Sequence, residues 1–308
     1  MPMPPEFEEL ARKVNNWGRW GDDDEIGTLN LITPEVVARG AACVKRGRTF
    51  SLAIPLSLDG PQLGFIPGRI NPLRTMVAIN RPLTGDPDQF CSSDDIVVMA
   101  LQAATHWDSL AHVSYAGRLY NGFPAASITD RGAAHCGIDK IAAIVGRGVL
   151  LDAARALGVE RLEPGYALTA DDLDAAEERA RLKVTAGDIV LLRTGQITHL
   201  KAGDKMGYAY PNPGPSLQTV EWFRNHDVAA LATDSLTFEV YPSERADLPL
   251  PVHLLHLVEM GMTQGQNFDL EELAADCADD GVHEFLLEAS PQPFVGGLGT
   301  PVNPVAVK

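Results

Sequence analysis

The sequence contains only four cysteines, and no two of them form a Cys-x-x-Cys pair. They are Cys43, Cys91, Cys136 and Cys277. Zinc ribbons and disulfide scaffolds both need closely spaced cysteines, so the scattered positions argue against either class. We therefore expect reduced thiols, most of them buried.

Long hydrophobic runs and an excess of positive charge are also missing. There is no apolar stretch of about 18 residues that could span a bilayer, and no charged-then-apolar signal sequence at the start. The formal net charge is −16 and the pI is near 4.8. Nucleic acids and anionic membranes select for clustered Lys and Arg. We expect a cytoplasmic protein whose partners include neither a nucleic acid nor a membrane.

Several catalytic and nucleotide-binding motifs are absent as well. The sequence has no Gly-x-Ser-x-Gly elbow, no P-loop and no complete dinucleotide-binding motif. These absences argue against an α/β-hydrolase serine and against a nucleotide enzyme. A Cys–His nucleophile stays open, because its partners need not be close in the sequence.

The chain does contain enough apolar sequence for one large core. Its 308 residues are 45% hydrophobic, and this length is near the upper limit for one compact domain. Neither an internal repeat nor a Gly- or Pro-rich linker divides it. We predict one domain over residues 1–308, in which residues 1–15 are an N-terminal tail that starts with a disordered or strapping segment at 2–5.

The hydrophobic patterning predicts an α/β fold. Predicted strands cover residues 49–58, 149–152, 187–193, 228–233 and 284–288, and residues 95–112 form an extended segment that bends after Asp108. Predicted helices cover residues 34–45, 170–183, 213–226, 248–260 and 270–278. The strand–helix–strand order between residues 187 and 233 predicts parallel pairing.

The most informative segment is Gln102-Ala-Ala-Thr-His106-Trp-Asp108-Ser-Leu-Ala-His112. In an extended segment, side chains two apart point the same way, so Gln102, His106, Asp108 and His112 would share one face, with Trp107 behind it. In a helix, Asp108 would instead lie about 200° from His106. Imidazole nitrogen and carboxylate oxygen are typical ligands of Zn²⁺ and Mn²⁺. The alternative is a local polar pair on a strand.

This segment resembles the hallmark of the cyclase family of metal-dependent hydrolases, a group that includes bacterial kynurenine formamidase and isatin hydrolase. The hallmark reads His-x-Gly-Thr-His-x-Asp-x-Pro-x-His, and the chain matches its core but differs at residues 102, 104 and 110. Other similar stretches are 17–22, 27–33, 187–195, His253, 276–281 and 299–303. The resemblance implies a swivelling β/β/α fold with a mixed or parallel sheet, assembled as a homodimer or homotetramer.

The resemblance also implies roles for individual residues. His106, Asp108 and His253 match metal ligands of the family, and His112 matches a histidine proposed for proton transfer. Gln102 stands where the family has its first ligand histidine.

A late glutamate ligand of the family is replaced by Gln266 in this sequence. With Asp108 as the only matched carboxylate, two divalent ions would be poorly neutralised in a site of low dielectric. We therefore expect one divalent ion, Zn²⁺ or Mn²⁺, held by Asp108, two imidazoles and the oxygen of Gln102.

These residues predict a hydrolase that opens a small amide, lactam or lactone with metal-activated water. His112 would transfer the proton, since an imidazole with a pKa near 6.5 suits both acid and base roles. Alternatively, His112 only orients Asp108. Two other functions remain open, a non-hydrolytic cyclase or dehydratase that acts on a carbonyl, and a metal-free binding protein of the same fold.

Four further residues are candidates for contact with the ligands or with a small-molecule substrate. Trp17, Trp20 and Phe65 lie in loop-like segments and are candidates for the pocket, with core or interface packing as the alternative. Asp234 follows a predicted parallel strand, where sites of α/β proteins gather, and is interpreted as an acid behind the ligands or as a helix cap.

Overall fold

The computed structural model of the protein describes residues 3–308. Its strands are β1 (Thr49–Ser51), β2 (Leu73–Pro82), β3 (Cys91–Val98), β4 (His106–Asp108), β5 (Ile128–Thr129), β6 (Gly132–Ala133), β7 (Val145–Asp152), β8 (Ala167–Leu168), β9 (Ile189–Arg193), β10 (Gly214–Pro215), β11 (Ala230–Thr233), β12 (Gln264–Gln266), β13 (Glu284–Glu288), β14 (Gly299–Pro301) and β15 (Val305–Val307).

The α-helices lie between and after these strands. They are α1 (Pro5–Val14), α2 (Pro34–Ala41), α3 (Ala153–Ala156), α4 (Ala170–Ala180), α5 (Ile197–Lys201), α6 (Lys205–Ala209), α7 (Val220–Asn225), α8 (Pro251–His253) and α9 (Glu271–Asp280). A π-helix, Leu254–Met260, continues directly from α8. Short 3₁₀ helices cover Gly27–Leu31, Tyr120–Gly122, Ala125–Ser127, Ile138–Lys140 and Leu217–Thr219. In residues 3–308, no helix has both the length and the apolar content needed to cross a membrane.

Nine strands form one mixed sheet in the order β1-β15-β13-β7-β9-β11-β12-β4-β14. The four central strands β7, β9, β11 and β12 are parallel, and the pairs on either side of them are antiparallel. The predicted α/β class with a mixed sheet is confirmed, and so is the predicted parallel pairing of β9 with β11. Strands β7, β9 and β11 are almost entirely buried, because helices and loops cover both faces of the sheet.

The two faces of the sheet pack into two separate hydrophobic clusters. In β9, Val190 and Leu192 point to the cluster that includes α1, α4 and α7. Ile189 and Leu191 point to the opposite cluster, which includes Trp107 and the buried residues of α9. This alternation follows from the two-residue period of a strand. Each of these side chains contributes roughly 1.5–3 kcal/mol by leaving water.

Local capping signals set the starts of two helices. Thr33 accepts a hydrogen bond from Val36 N at 3.4 Å, and Pro34 occupies the first helical position of α2. At α4, Thr169 and Asp172 form a reciprocal capping box. Both starts agree with the prediction. Both helices end a few residues earlier than predicted, at Ala41 and Ala180.

Two predicted extended segments are interrupted. The strand predicted over 49–58 ends at Ser51. Leu52 N still donates to Pro304 O, but Pro304 has no N–H to donate back, and Leu52 O accepts from Asp269 N at 2.8 Å. The extended segment predicted over 95–112 is wrong as one element, since β3 ends at Val98 and turns separate it from β4. The predicted bend after Asp108 is present, because β4 ends there.

Two predicted helices begin later than expected. The helix predicted from residue 213 begins at Leu217, because 214–215 pair with β8 and Ser216 forms the cap. The helix predicted from residue 248 begins at Pro251, whose ring suits a first helical turn, and then widens into the π-helix.

The predicted N-terminal tail is wrong for residues 5–14. These residues form α1, in which Phe7, Ala11 and Val14 are buried. Their spacing of four and three residues places them on one helical face, and they belong to the first hydrophobic cluster. Of the predicted disordered or strapping segment, Pro2 lies outside the described residues.

Candidate active site

Strand β4 carries the centre of the candidate site. His106 and Asp108 lie on one face of the strand because they are two residues apart. Trp107 points to the other face, where it is fully buried and its Nε1 donates to Ala289 O at 2.8 Å. It also packs edge-on against Phe268, with 5.2 Å between ring centroids. Trp107 therefore supports the strand from behind, as the sequence predicts.

His106 and Asp108 present two buried atoms without a hydrogen-bond partner. His106 Nε2 lies 3.4 Å from Asp108 Oδ1, and neither atom is hydrogen-bonded to any group within residues 3–308. His106 Nδ1 lies 2.7 Å from Ala104 O. A carbonyl only accepts, so Nδ1 carries the proton and Nε2 keeps its lone pair. Buried polar atoms are normally satisfied, so these two adjacent unpaired atoms, both of metal-ligand type, are candidates to hold a cation.

His253 approaches the same place from α8. Its Nδ1 donates to Glu239 Oε1 at 2.5 Å, and its backbone N–H donates to the same oxygen at 2.8 Å. The backbone N–H of Val252 donates to Glu239 Oε2 at 3.0 Å. A carboxylate that fixes one imidazole nitrogen and leaves the other free is the usual support of a metal-binding histidine.

Gln266 joins these groups from β12. It pairs with His106 across β12 and β4, and its Nε2 donates to Asp108 Oδ2 at 2.7 Å. The same Nε2 lies 3.5 Å from His253 Nε2. Within residues 3–308, no group of three or more His, Cys, Asp or Glu side chains is arranged to hold a metal ion by itself. A metal ion would therefore depend on His106 and Asp108, with neutral donors completing its shell.

His112 follows β4 on a turn and faces Asp108 from the solvent side. Its Nε2 lies 3.7 Å from Asp108 Oδ1, and its side chain is 19% exposed. Burial lowers the pKa of His112. Burial disfavours the ionised form of Asp108, but the interaction with the neighbouring imidazoles of His112 and His106 outweighs that effect and holds the pKa of Asp108 well below its usual value.

Gln102 does not belong to the strand on which the sequence places it, but its amide lies beside Gly299, on the face of the sheet that carries Asp108. It belongs to a turn before β4. A Cβ at Gly299 would lie 2.7 Å from Gln102 Nε2, and Gly299 is the residue opposite Asp108 in the β4–β14 register. Turns, and not one extended segment, bring Gln102 and His112 to the side of Asp108, because only residues 106–108 are extended.

Phe65 is the one aromatic pocket candidate that lines the main cavity at this site. The indole nitrogen of Trp17 donates to Val258 O at 2.7 Å, and Trp20 lies beneath Arg19, 4.7 Å from the guanidinium carbon. Neither Trp17 nor Trp20 lines this cavity. Trp17 contacts the π-helix and Trp20 contacts Arg19, which agrees with the packing alternative.

The side chain of Asp234 binds residues at the end of β9 and contacts none of the candidate metal ligands. It is fully buried and accepts hydrogen bonds from Thr194 N at 2.9 Å, Thr194 Oγ1 at 2.7 Å and Gly195 N at 2.7 Å. Burial raises the pKa of Asp234 to about 6. Its position at the end of a parallel strand agrees with the prediction, but its contacts join β9 to β11 and reach no ligand candidate.

A cavity of about 530 Å³ opens beside His112, His253 and Gln266. Its volume suits a small molecule. The wall is largely apolar and aromatic, and it consists of Phe65, Ile66, Arg69, His112, Val113, Met206, Ala209, Tyr210, Leu236, Thr237, Tyr241, Leu250, His253 and Gln266.

Sequence reasoning missed Glu239, Arg69, Tyr210 and Tyr241. A usable signal existed for Glu239, which lies in the loop after parallel strand β11, where residues of α/β sites gather. Arg69 lies in a Gly- and Pro-rich loop, and no local pattern distinguishes it from other arginines.

Comparison with known proteins identifies the family to which this fold belongs. The profile of the Cyclase family matches residues 50–240. A solved structure described as a novel cyclase is 38% identical, with a TM-score of 0.86, and the match covers 96% of this chain and 100% of that chain. No curated protein matches.

Two more distant structures share the fold. Isatin hydrolase A from Ralstonia solanacearum is 23% identical over 90% of this chain and 98% of that chain, with a TM-score of 0.65. A predicted metal-dependent hydrolase from Bacillus stearothermophilus is 17% identical over 84% of this chain and 97% of that chain, with a TM-score of 0.53. The profile match and the 38% identity together show that this chain belongs to the Cyclase family.

Proposed function

We propose that the protein is a metal-dependent hydrolase that opens a small amide, lactam or lactone. The observation that carries the proposal is the pair of orphaned, buried atoms, His106 Nε2 and Asp108 Oδ1, which lie 3.4 Å apart. Asp108 lies directly behind two residues of the cavity wall, Gln266 and His112. The fold shared with an isatin hydrolase and with a predicted metal-dependent hydrolase supports it.

The donor set fits one divalent ion, Zn²⁺ or Mn²⁺, better than two. His106 and Asp108 would hold it, and His253 Nε2 and the Gln266 amide lie next to Asp108 as further donors. Gln266 would have to present its oxygen, since an amide nitrogen does not bind a metal ion. Asp108 is the one carboxylate among these four residues, so a second divalent charge would lack compensation. When bound, the ion supplies a Lewis acid that polarises a carbonyl and acidifies water.

The chain's own residues would position the reactants and move the proton. Glu239 fixes the ring of His253, and the apolar wall of the cavity excludes bulk water from the reacting groups. His112 borders both Asp108 and the cavity, so it is placed to take a proton from water and hand it to the leaving nitrogen or oxygen.

The test combines metal analysis with a substrate panel. The protein, purified without chelator, is analysed for metals and assayed against N-formyl arylamines, cyclic imides and lactones before and after treatment with EDTA. We expect one equivalent of metal, hydrolysis that EDTA abolishes, and recovery with Zn²⁺ or Mn²⁺. His112→Ala should keep the metal and lose turnover, whereas His226→Ala, outside the cavity, should keep both.

A metal-free binding protein is the second candidate, and the hydrogen bond from Gln266 Nε2 to Asp108 favours it. That bond satisfies one carboxylate oxygen with an amide proton where a metalloenzyme would use a cation. Full thermal stability without metal, together with no hydrolysis in any reconstituted sample, would support this candidate over the hydrolase. A product isomeric with its substrate, or lighter by one water, would instead indicate a cyclase or dehydratase.

We also propose that the protein assembles as a homodimer or homotetramer through the hairpin β2–β3. Leu73 pairs with Val98 and Thr75 with Ile96, so these four residues share one face, and all of them are exposed. A two-stranded hairpin is marginally stable alone in water, and a second copy would cover this apolar face. Light scattering should give a multiple of 33.1 kDa, and Ile96→Glu should reduce it to the monomer mass.

A further inference from the structure

Arg69 is the one permanently charged side chain in the wall of the cavity. The other wall residues are apolar, aromatic, hydroxyl, amide or imidazole groups. Placing a guanidinium in such a wall has a cost, because burial in apolar surroundings disfavours a charge. Burial indeed lowers the pKa of Arg69, although a guanidinium stays protonated at physiological pH.

The guanidinium of Arg69 has no carboxylate partner within residues 3–308. The pKa of Arg69 is affected by burial and by the more distant charge of Asp108, and no side-chain hydrogen bond contributes to it. Arg69 is partly buried, and the two fully buried arginines among residues 3–308 are paired. Arg147 contacts Asp188 at 2.6 Å, and Arg193 contacts Asp152 at 2.9 Å. The contrast leaves Arg69 free to bind an anion that enters the cavity.

Arg69 also lies close to the candidate catalytic groups. Its charge acts on both Asp108 and His112, so an anion held by Arg69 would sit beside them. A planar guanidinium matches a carboxylate with two parallel hydrogen bonds. The protein as a whole is strongly negative, so a local positive group is needed for an anionic ligand to stay in this cavity.

Aromatic rings surround the remaining space. Tyr210 and Tyr241 meet edge to face with 5.9 Å between centroids, and Phe65 lines the same wall. All three expose a substantial part of their surface, which offers flat apolar contacts to a planar ring.

We propose that the cavity binds an aryl carboxylate, whose carboxylate pairs with Arg69 while its ring packs among Tyr210, Tyr241 and Phe65. Arg69 thereby determines specificity for substrates that carry a carboxylate in addition to the amide, lactam or lactone group. This inference rests on the proposed function for the identity of the cavity as the substrate site, but binding can be measured without turnover.

The test compares two probes of nearly equal shape, 3-phenylpropionate and 3-phenylpropionamide, by calorimetry on the full-length protein. Measurements are made with EDTA present, so that no metal ion binds the carboxylate. We expect the carboxylate to bind wild type more tightly than the amide. Arg69→Gln should weaken carboxylate binding about 10- to 100-fold, the range for losing a charge-assisted pair, and leave amide binding unchanged.

Two further variants separate recognition from folding. Arg69→Lys keeps the charge but loses the planar fork, so it should bind the carboxylate with intermediate affinity. Arg74→Gln removes an exposed arginine, paired with Asp95 on the β2–β3 hairpin, and should change neither affinity. Circular dichroism checks that each variant is folded.

Equal carboxylate affinity in wild type and Arg69→Gln would overturn the inference, and so would failure of wild type to bind either probe. Failure of the proposed function would look different. The carboxylate would still bind through Arg69, but no member of the substrate panel would be hydrolysed in the presence of metal.

Discussion

Glu239→Gln is the substitution from which the structure allows the most detailed prediction. The carboxylate of Glu239 is buried and accepts three hydrogen bonds, from Val252 N at 3.0 Å, from His253 N at 2.8 Å and from His253 Nδ1 at 2.5 Å. A glutamine has the same shape but only one acceptor oxygen. At least one of the three donors would therefore face an amide NH₂ group and remain unsatisfied.

The expected loss of stability follows from that count. A buried donor left without a partner costs about 1–3 kcal/mol. His253 would also lose the carboxylate that orients its ring. Loss of such support typically reduces metal affinity or activity about 10- to 100-fold.

The assays are chemical denaturation, metal titration and hydrolysis of whichever panel substrate is active. Glu160→Gln is the matched control, because the Glu160 side chain is 87% exposed and should be neutral in all three. If Glu239→Gln kept wild-type stability and metal affinity, the role assigned to the Glu239–His253 pair would be wrong.

Three further substitutions test the fold behind the site. Trp107→Ala should lower the free energy of unfolding by about 3–5 kcal/mol, because it empties a fully buried space behind β4; urea denaturation measures this, and a loss below 1 kcal/mol would contradict the packing. Gly148→Ala should lower the free energy of unfolding by about 1–3 kcal/mol, since its Cβ would lie 2.2 Å from the Phe285 ring. Unchanged stability would show that the two strands can move apart without cost. Asp234 has a pKa raised to about 6 by burial, so its contribution is present at low pH and is lost as the pH rises from about 4 through 6. The difference in the free energy of unfolding between wild type and Asp234→Asn, measured by denaturation at pH 4–7, should show this pH dependence. A difference that does not change with pH would contradict it.

The elements that sequence reasoning located well are those with strong local signals. Strand β13 has the predicted bounds of 284–288, and the capping residues Thr33 and Thr169 mark the starts of their helices. Short apolar runs bounded by turn residues indicated β7, β9 and β11, although their ends differ by a few residues. In each case the information lies within a few positions of the chain.

The parts that were missed depend on contacts between distant segments. The bond between Glu239 and His253 joins a loop to α8, and the placement of Arg69 depends on how a Gly- and Pro-rich loop folds over the cavity. The local structure around Gln102 was predicted incorrectly, because the strand argument was extended beyond the three residues of β4. The prediction placed His106 and Asp108 on one face correctly, because that argument needs only the strand itself.

The most direct test of the central claim is a crystal structure of the protein grown with excess Mn²⁺ or Zn²⁺ and examined for anomalous scattering. The account predicts one strong peak bound by His106 Nε2 and Asp108, with His253 and Gln266 beside it. A well-ordered structure in which the His106 and Asp108 side chains turn apart, with no anomalous peak between them, would contradict it.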